Sequence, residues 1–180
     1  AASGYRRILA INPHHPDALH LLGLLLHARG NHEQAVRLVT AALQAAPHTA
    51  AFHATLAAIQ LAKGDTAGAI ATARRAVELD PNLLAAGNTL GNAHLRAGDA
   101  EAAVAVYRQL LVRAPNSPET LNNLGSALQV LGETDEAACV LGRALEIKPD
   151  YAAAVANLAL VRRDQGKFAD ALDACDSALQ

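Results

Sequence analysis

Prolines stand at positions 13, 47, 81, 115 and 149, each 34 residues after the last. Glycines keep the same interval at 30, 64, 98, 132 and 166. So do alanines at 35, 69, 103, 137 and 171, and leucines at 22, 56, 90, 124 and 158. Four ladders with one period define a tandem array. Such a unit cannot bury its apolar face alone, so the chain is constrained to stack unit upon unit.

Each unit reads as two helices. In residues 118–151, PETLNNLGSALQVL carries apolar side chains at helical spacing: Leu121, Leu124, Leu128 and Leu131. Gly132 ends this helix by taking a left-handed conformation. DEAACVLGRALEI then repeats the helical pattern through Ala137, Leu141 and Ala144 or Leu145, and Pro149 stops it. Residues after the loop glycine are often cappers, as at Asn31, Asp65 and Asp99. The alanine ladder marks where two helices approach closely. Composition agrees: 52% of the chain is hydrophobic but only 3% is aromatic. That favours close helix packing through alanine and leucine over a β-rich core.

The spacing therefore predicts an all-α chain of antiparallel helix pairs. Full repeats are expected at 16–49, 50–83, 84–117 and 118–151, with a shortened fifth at 152–180. Residues 1–15 are expected to be the trailing second helix of a truncated repeat, because Ala1, Tyr5 and Ile8 fall in phase. Repeats cut at both ends suggest a fragment of a longer protein with adhesive ends, hence self-association.

The pattern resembles the tetratricopeptide repeat family. The match rests on Leu22-Gly23, Leu90-Gly91 and Leu124-Gly125, with Leu56-Ala57 and Leu158-Ala159 in the same slots, together with the glycine, alanine and proline ladders. It covers essentially the whole chain. Aromatics common early in the family's first helices are replaced by Leu19, His53, Gly87, Leu121 and Val155, and Leu110 fills a slot that is alanine in four other repeats. The resemblance implies a right-handed α-solenoid superhelix whose first helices line a concave groove for an extended peptide segment of a protein partner.

On that face the candidate binding residues are Asn88, Asn92, Asn122, Asn123 and Asn157, because an amide offers both a donor and an acceptor to a peptide backbone. They are expected on the exposed side of the first helices. Asn123 and Asn157 share a phase, which is similar to a short asparagine ladder of the protein O-linked N-acetylglucosamine transferases. Arg96 and Gln129 are expected at the groove edge, as are Arg163 and Asp164. A substrate-recruiting arm of such an enzyme is therefore the alternative function, and a self-assembling scaffold a further one.

Five of the eight histidines lie between residues 12 and 32. His20 and His27 are seven residues apart on one helix face, ~10 Å along the axis, too far for two ligands of one ion. His14 and His15 fall in a turn and His32 in a loop, so no tetrahedral metal site is expected. His20 and His27 are instead candidate groove residues whose titration near neutrality would make binding pH-sensitive. His53 and His94 are expected to be partly buried.

Other classes find no support. A net charge of −2 argues against nonspecific nucleic-acid binding, and no run is long and apolar enough for a membrane span. None of the four serines has an in-phase histidine and acid, and no glycine loop cradles phosphate, so neither catalysis nor a cofactor is expected. The basic clamp for chaperone C-termini is absent, since its slots carry His20, Ala51, Ala54, Ala85 and Thr89. Two cysteines, Cys139 and Cys175, read as inert packing residues of a cytoplasmic protein.

Overall fold

The computed structural model describes residues 2–167. Among these, ten α-helices and no strand are found. Helix α1 spans Ala2–Ile11. First helices of the repeats are α2 (Pro16–Ala28), α4 (Ala50–Ala62), α6 (Leu84–Arg96), α8 (Pro118–Val130) and α10 (Ala152–Asp164). Second helices are α3 (His32–Ala45), α5 (Thr66–Leu79), α7 (Ala100–Arg113) and α9 (Thr134–Ile147). The chain divides into two compact units, one through Ala93 and one from His94 onward.

The turn within each pair follows from its glycine. Gly30, Gly64, Gly98, Gly132 and Gly166 all have φ between 75° and 86°, where a Cβ is strained. After α2, the N–H of Asn31 reaches back to the carbonyl of Leu26 at 2.9 Å. This is the wrapped end typical of a left-handed stop. The next residue caps the second helix: Asn31 accepts from the N–H of Gln34, Asp65 from Gly68 and Asp99 from Ala102. Glu133 makes no such bond. Each described second helix ends two residues before its ladder proline.

In the N-terminal unit, Leu19, Ala42 and Phe52 form one core cluster, and Ala35, Val39 and Ile59 form another. Ala54, Ala76 and Ala86 form a third, with Leu83 packed against it. In the C-terminal unit, α8 packs on α7 and on α9, and α9 on α10. Tyr107, Leu121, Leu128 and Leu141 are fully buried there.

The small residue in the Leu-Gly slot answers to the size of its neighbour. A Cβ on Gly23 would stand 2.7 Å from Val39 Cγ2, and one on Gly125 would stand 2.5 Å from Leu141 Cγ. In the α4–α5 pair both positions are alanine, Ala57 and Ala73, and both are fully buried. A glycine thus admits a bulky partner, and an alanine accompanies a small one. Ala137 is likewise fully buried, and Gly87 and Leu110 are accommodated inside the core. Cys175 and the expected second helix of the fifth repeat lie outside the described residues.

Candidate functional site

Within each unit, first helices pack side by side in a register that the 34-residue period does not itself reveal. His20 Nε2 and Thr55 Oγ1 are 2.8 Å apart. Asn157 Nδ2 donates to Asn122 Oδ1 at 2.8 Å, and Gln129 Nε2 donates to Asp164 Oδ2 at 2.7 Å. Each pair is separated by 35 residues. The fifth position of one first helix therefore meets the sixth of the next, and the twelfth meets the thirteenth.

The amide of Asn157 is not free, because it donates to Asn122. Nor do all the asparagines face solvent. Asn88 and Asn122 are only 3% and 7% exposed; in the C-terminal unit the fifth position, Asn122, turns toward the neighbouring first helix α10. Asn92, Asn123, Asn157 and Gln129 are half-buried, and Arg96 is exposed. Around Asp164, hydrogen bonds from Gln129 and then Arg163 hold the carboxyl below its ordinary range. Polar groups of this face in the C-terminal unit are thus engaged with one another.

The N-terminal unit presents a different surface. Leu24, His27, Ala51, Ala54, Thr55, Ala58, Leu83, Ala85 and Thr89 line a depression of about 270 Å³. Its walls are mostly apolar because the sequence places alanine at most of the inward positions of α4. Thr89 follows Ala54 by 35 residues, and alanine offers it no polar partner. Its hydroxyl donates instead to the Ala85 carbonyl at 2.8 Å. At that point of the register the Thr89 hydroxyl stays on its own helix.

His20 and His27 stand apart from each other, as their spacing demands. His20 is half-buried, its ring tilted on Phe52 at 4.6 Å between centroids. Burial lowers its pKa below 6.5, with the Asp17 carboxylate opposing. His27 faces the depression on one side. On the other its Nδ1 lies 3.0 Å from Nδ1 of His32. Burial, and secondarily the His32 ring, lower its pKa too. Helical phase does not bring residues 27 and 32 together, because it places one at a helix end and the other in a loop. In fact His32 opens α3, and the tight turn at Gly30 folds it back. An i, i+5 pair spanning a glycine turn is the signal that finds it.

Three of the remaining histidines settle simply. Nδ1 of His15 accepts from the Ala18 N–H at the start of α2, His53 bonds the Pro47 carbonyl at 2.9 Å, and His94 Nδ1 lies 3.4 Å from Asp99 Oδ2. Both His53 and His94 are half-buried, as expected. Cys139, expected as packing, is exposed. The buried face of α9 is made by Ala137, Val140, Leu141 and Ala144, which leaves Cys139 outside. Among the described residues, no group of three or more His, Cys, Asp or Glu side chains converges as a metal site, and no helix is long and apolar enough to cross a membrane.

Tetratricopeptide repeat profiles match residues 1–59, 50–83, 88–152 and 122–180. The chain belongs to the tetratricopeptide repeat family. No curated protein matches it. Several solved tetratricopeptide repeat structures are similar in fold. A thermophilic protein of the family from Thermus thermophilus is 24% identical with a TM-score of 0.80, over 91% of this chain and 90% of that one. YrrB, described as having an unusual peptide-binding site, is 18% identical with a TM-score of 0.73, over 99% and 92%. MamA is 22% identical with a TM-score of 0.75, over 88% and 92%. The tetratricopeptide fold is consistent with protein–protein interaction, and no catalytic domain is evident in these repeats.

Proposed function

We propose that this tetratricopeptide chain is a cytoplasmic interaction module that takes an extended, apolar peptide segment of a protein partner on the first-helix face of its N-terminal unit. The observation that carries this reading is the depression lined by Ala51, Ala54, Ala58 and Ala85, with Leu24 and Leu83 at its sides. Small side chains on the floor leave room for large ones from a ligand, and Thr55, Thr89 and His27 supply a few polar contacts at its margin. Such a mixture suits a ligand site. YrrB, a fold relative, is described as having a peptide-binding site, which supports the same use of the fold. An exposed free thiol at Cys139 suits a reducing compartment.

Fluorescent short peptides with Leu, Ile or Phe at alternate positions test the reading. Ala51 and Ala85 are exposed on the depression, so phenylalanine at either fills it without entering the core. Ala51→Phe and Ala85→Phe should each weaken binding about tenfold, equivalent to about 1.4 kcal/mol. Unchanged affinity in both variants refutes the site.

Two other readings have their own observations. A substrate-recruiting arm similar to that of the O-linked N-acetylglucosamine transferases draws on Asn122, Asn123 and Asn157. The bond between Asn157 and Asn122 uses part of that amide capacity internally, so the apolar depression is the stronger ligand surface. Self-association draws on α1. Ile8 is 40% exposed and Ile11 89%, whereas Ala42, in phase with Ile8, is fully buried. Ile8→Asp should abolish any concentration-dependent light scattering if this face drives it.

A further inference from the structure

We propose that His27 and His32 form a two-imidazole site for a divalent transition ion of the nickel and copper class. The two Nδ1 atoms are 3.0 Å apart, and the rings are tilted by 51° with centroids 4.9 Å apart. Two imidazole nitrogens at about 2.0–2.1 Å from one ion stand about 3 Å apart at a right angle, and about 3.4 Å apart at a tetrahedral angle. The observed separation matches the right-angled arrangement of square-planar or octahedral ions better than the tetrahedral one of a structural zinc site.

The backbone holds this geometry. His27 sits in the last turn of α2 and His32 in the first turn of α3, and Gly30 at φ 78° folds one onto the other. Backbone bonds from Gly30 to His27 and from Asn31 to Leu26, both at 2.9 Å, fix the turn. Little ordering is therefore left for an ion to impose. A hollow of about 510 Å³ reaches His32 from solvent and holds room for water as the remaining ligands. Among the described residues of its wall Glu33 is acidic, and Arg29 and Lys63 oppose cation binding there. Imidazole coordination has to carry the affinity, so hard, oxygen-seeking magnesium is excluded.

The chemistry balances without a co-reactant. In the free pair one ring donates through Nδ1–H and the other accepts. On binding, the donor ring moves its proton to Nε2, and both Nδ1 lone pairs go to the ion.

The intact chain is titrated with nickel chloride by calorimetry, with magnesium chloride as the control ion. One nickel per chain is expected, and no heat from magnesium. His27→Ala and His32→Ala should each lower nickel affinity at least tenfold, while His48→Ala, in a distant turn, leaves it unchanged. Nickel binding as strong in both variants as in the parent overturns the proposal. Imidazole NMR of the parent protein decides the matter even if a variant fails to fold. Nickel below one equivalent should broaden the signals of His27 and His32 first; broadening that starts at any other histidine refutes the site.

Discussion

The first-helix faces of the two units share one backbone register and differ in side chains. In the C-terminal unit that register brings Asn122 to Asn157 and Gln129 to Asp164, and the amides and carboxylate bond to one another. In the N-terminal unit it pairs His20 with Thr55 but gives Thr89 only Ala54, so the hydroxyl turns back to its own helix. One face is stitched by polar bonds, and the other keeps an apolar depression. Packing inside the helix pairs is set by the ladder residues, while the residues between the ladders are free to make a face adhesive or self-satisfied. The proposed binding function draws on those intervening positions.

The sharpest break in the comparison comes from the ladders themselves. Gly125→Ala drives a Cβ to 2.5 Å from Leu141 Cγ in a fully buried site, and should cost about 1–3 kcal/mol by urea unfolding. Leu141→Ala alone should cost about 2–5 kcal/mol. Their combination recreates the Ala57 and Ala73 pair of the N-terminal unit, so the double variant should be more stable than the sum of the two predicts. Simple additivity would show that the glycine is not matched to its neighbour.

A smaller effect tests the stitching. Asn122→Ala removes the acceptor of Asn157 from a buried position and should destabilise the chain by about 1 kcal/mol. Replacing Asn122 and Asn157 together by leucine should restore most of that loss and give the C-terminal face an apolar surface. A double-variant loss equal to the sum of the two single losses would contradict a mutual bond.

The smallest effect separates the units by pH. His20 and His27, both in the N-terminal unit, have pKa values lowered below 6.5 by burial. Below 6.5 the unfolded chain binds more protons than the folded one, so stability falls as pH drops through 6.5 toward the folded values and is level above it. Amide exchange should show the α2–α5 region opening more readily near pH ~5.5 than near ~7.5. A charge on His27 should also weaken an apolar peptide, and identical affinity at both pH values would separate His27 from the site.

Much of the fold is legible in the 34-residue ladders, because glycine, proline and alanine each act locally on the backbone. Helix starts at 16, 50, 84, 118 and 152 and the left-handed glycines follow directly from them. The faces are less legible. Periodicity finds residues 34 apart, whereas the contacts join residues 35 apart, because neighbouring first helices are staggered by one position. That one-residue offset brings Asn157 to Asn122 and places Asn122 at a buried position. The His27–His32 contact is hidden for another reason: it depends on the three-dimensional reversal at Gly30 and not on helical phase.

The most direct test of the central claim is hydrogen–deuterium exchange of the full chain with and without its tightest apolar peptide. The account predicts slowed exchange concentrated in α2 and α4, around Leu24, His27, Ala51 and Ala58. Protection confined to α8 and α10, with α2 and α4 unchanged, would contradict it and assign the ligand to the amide face instead.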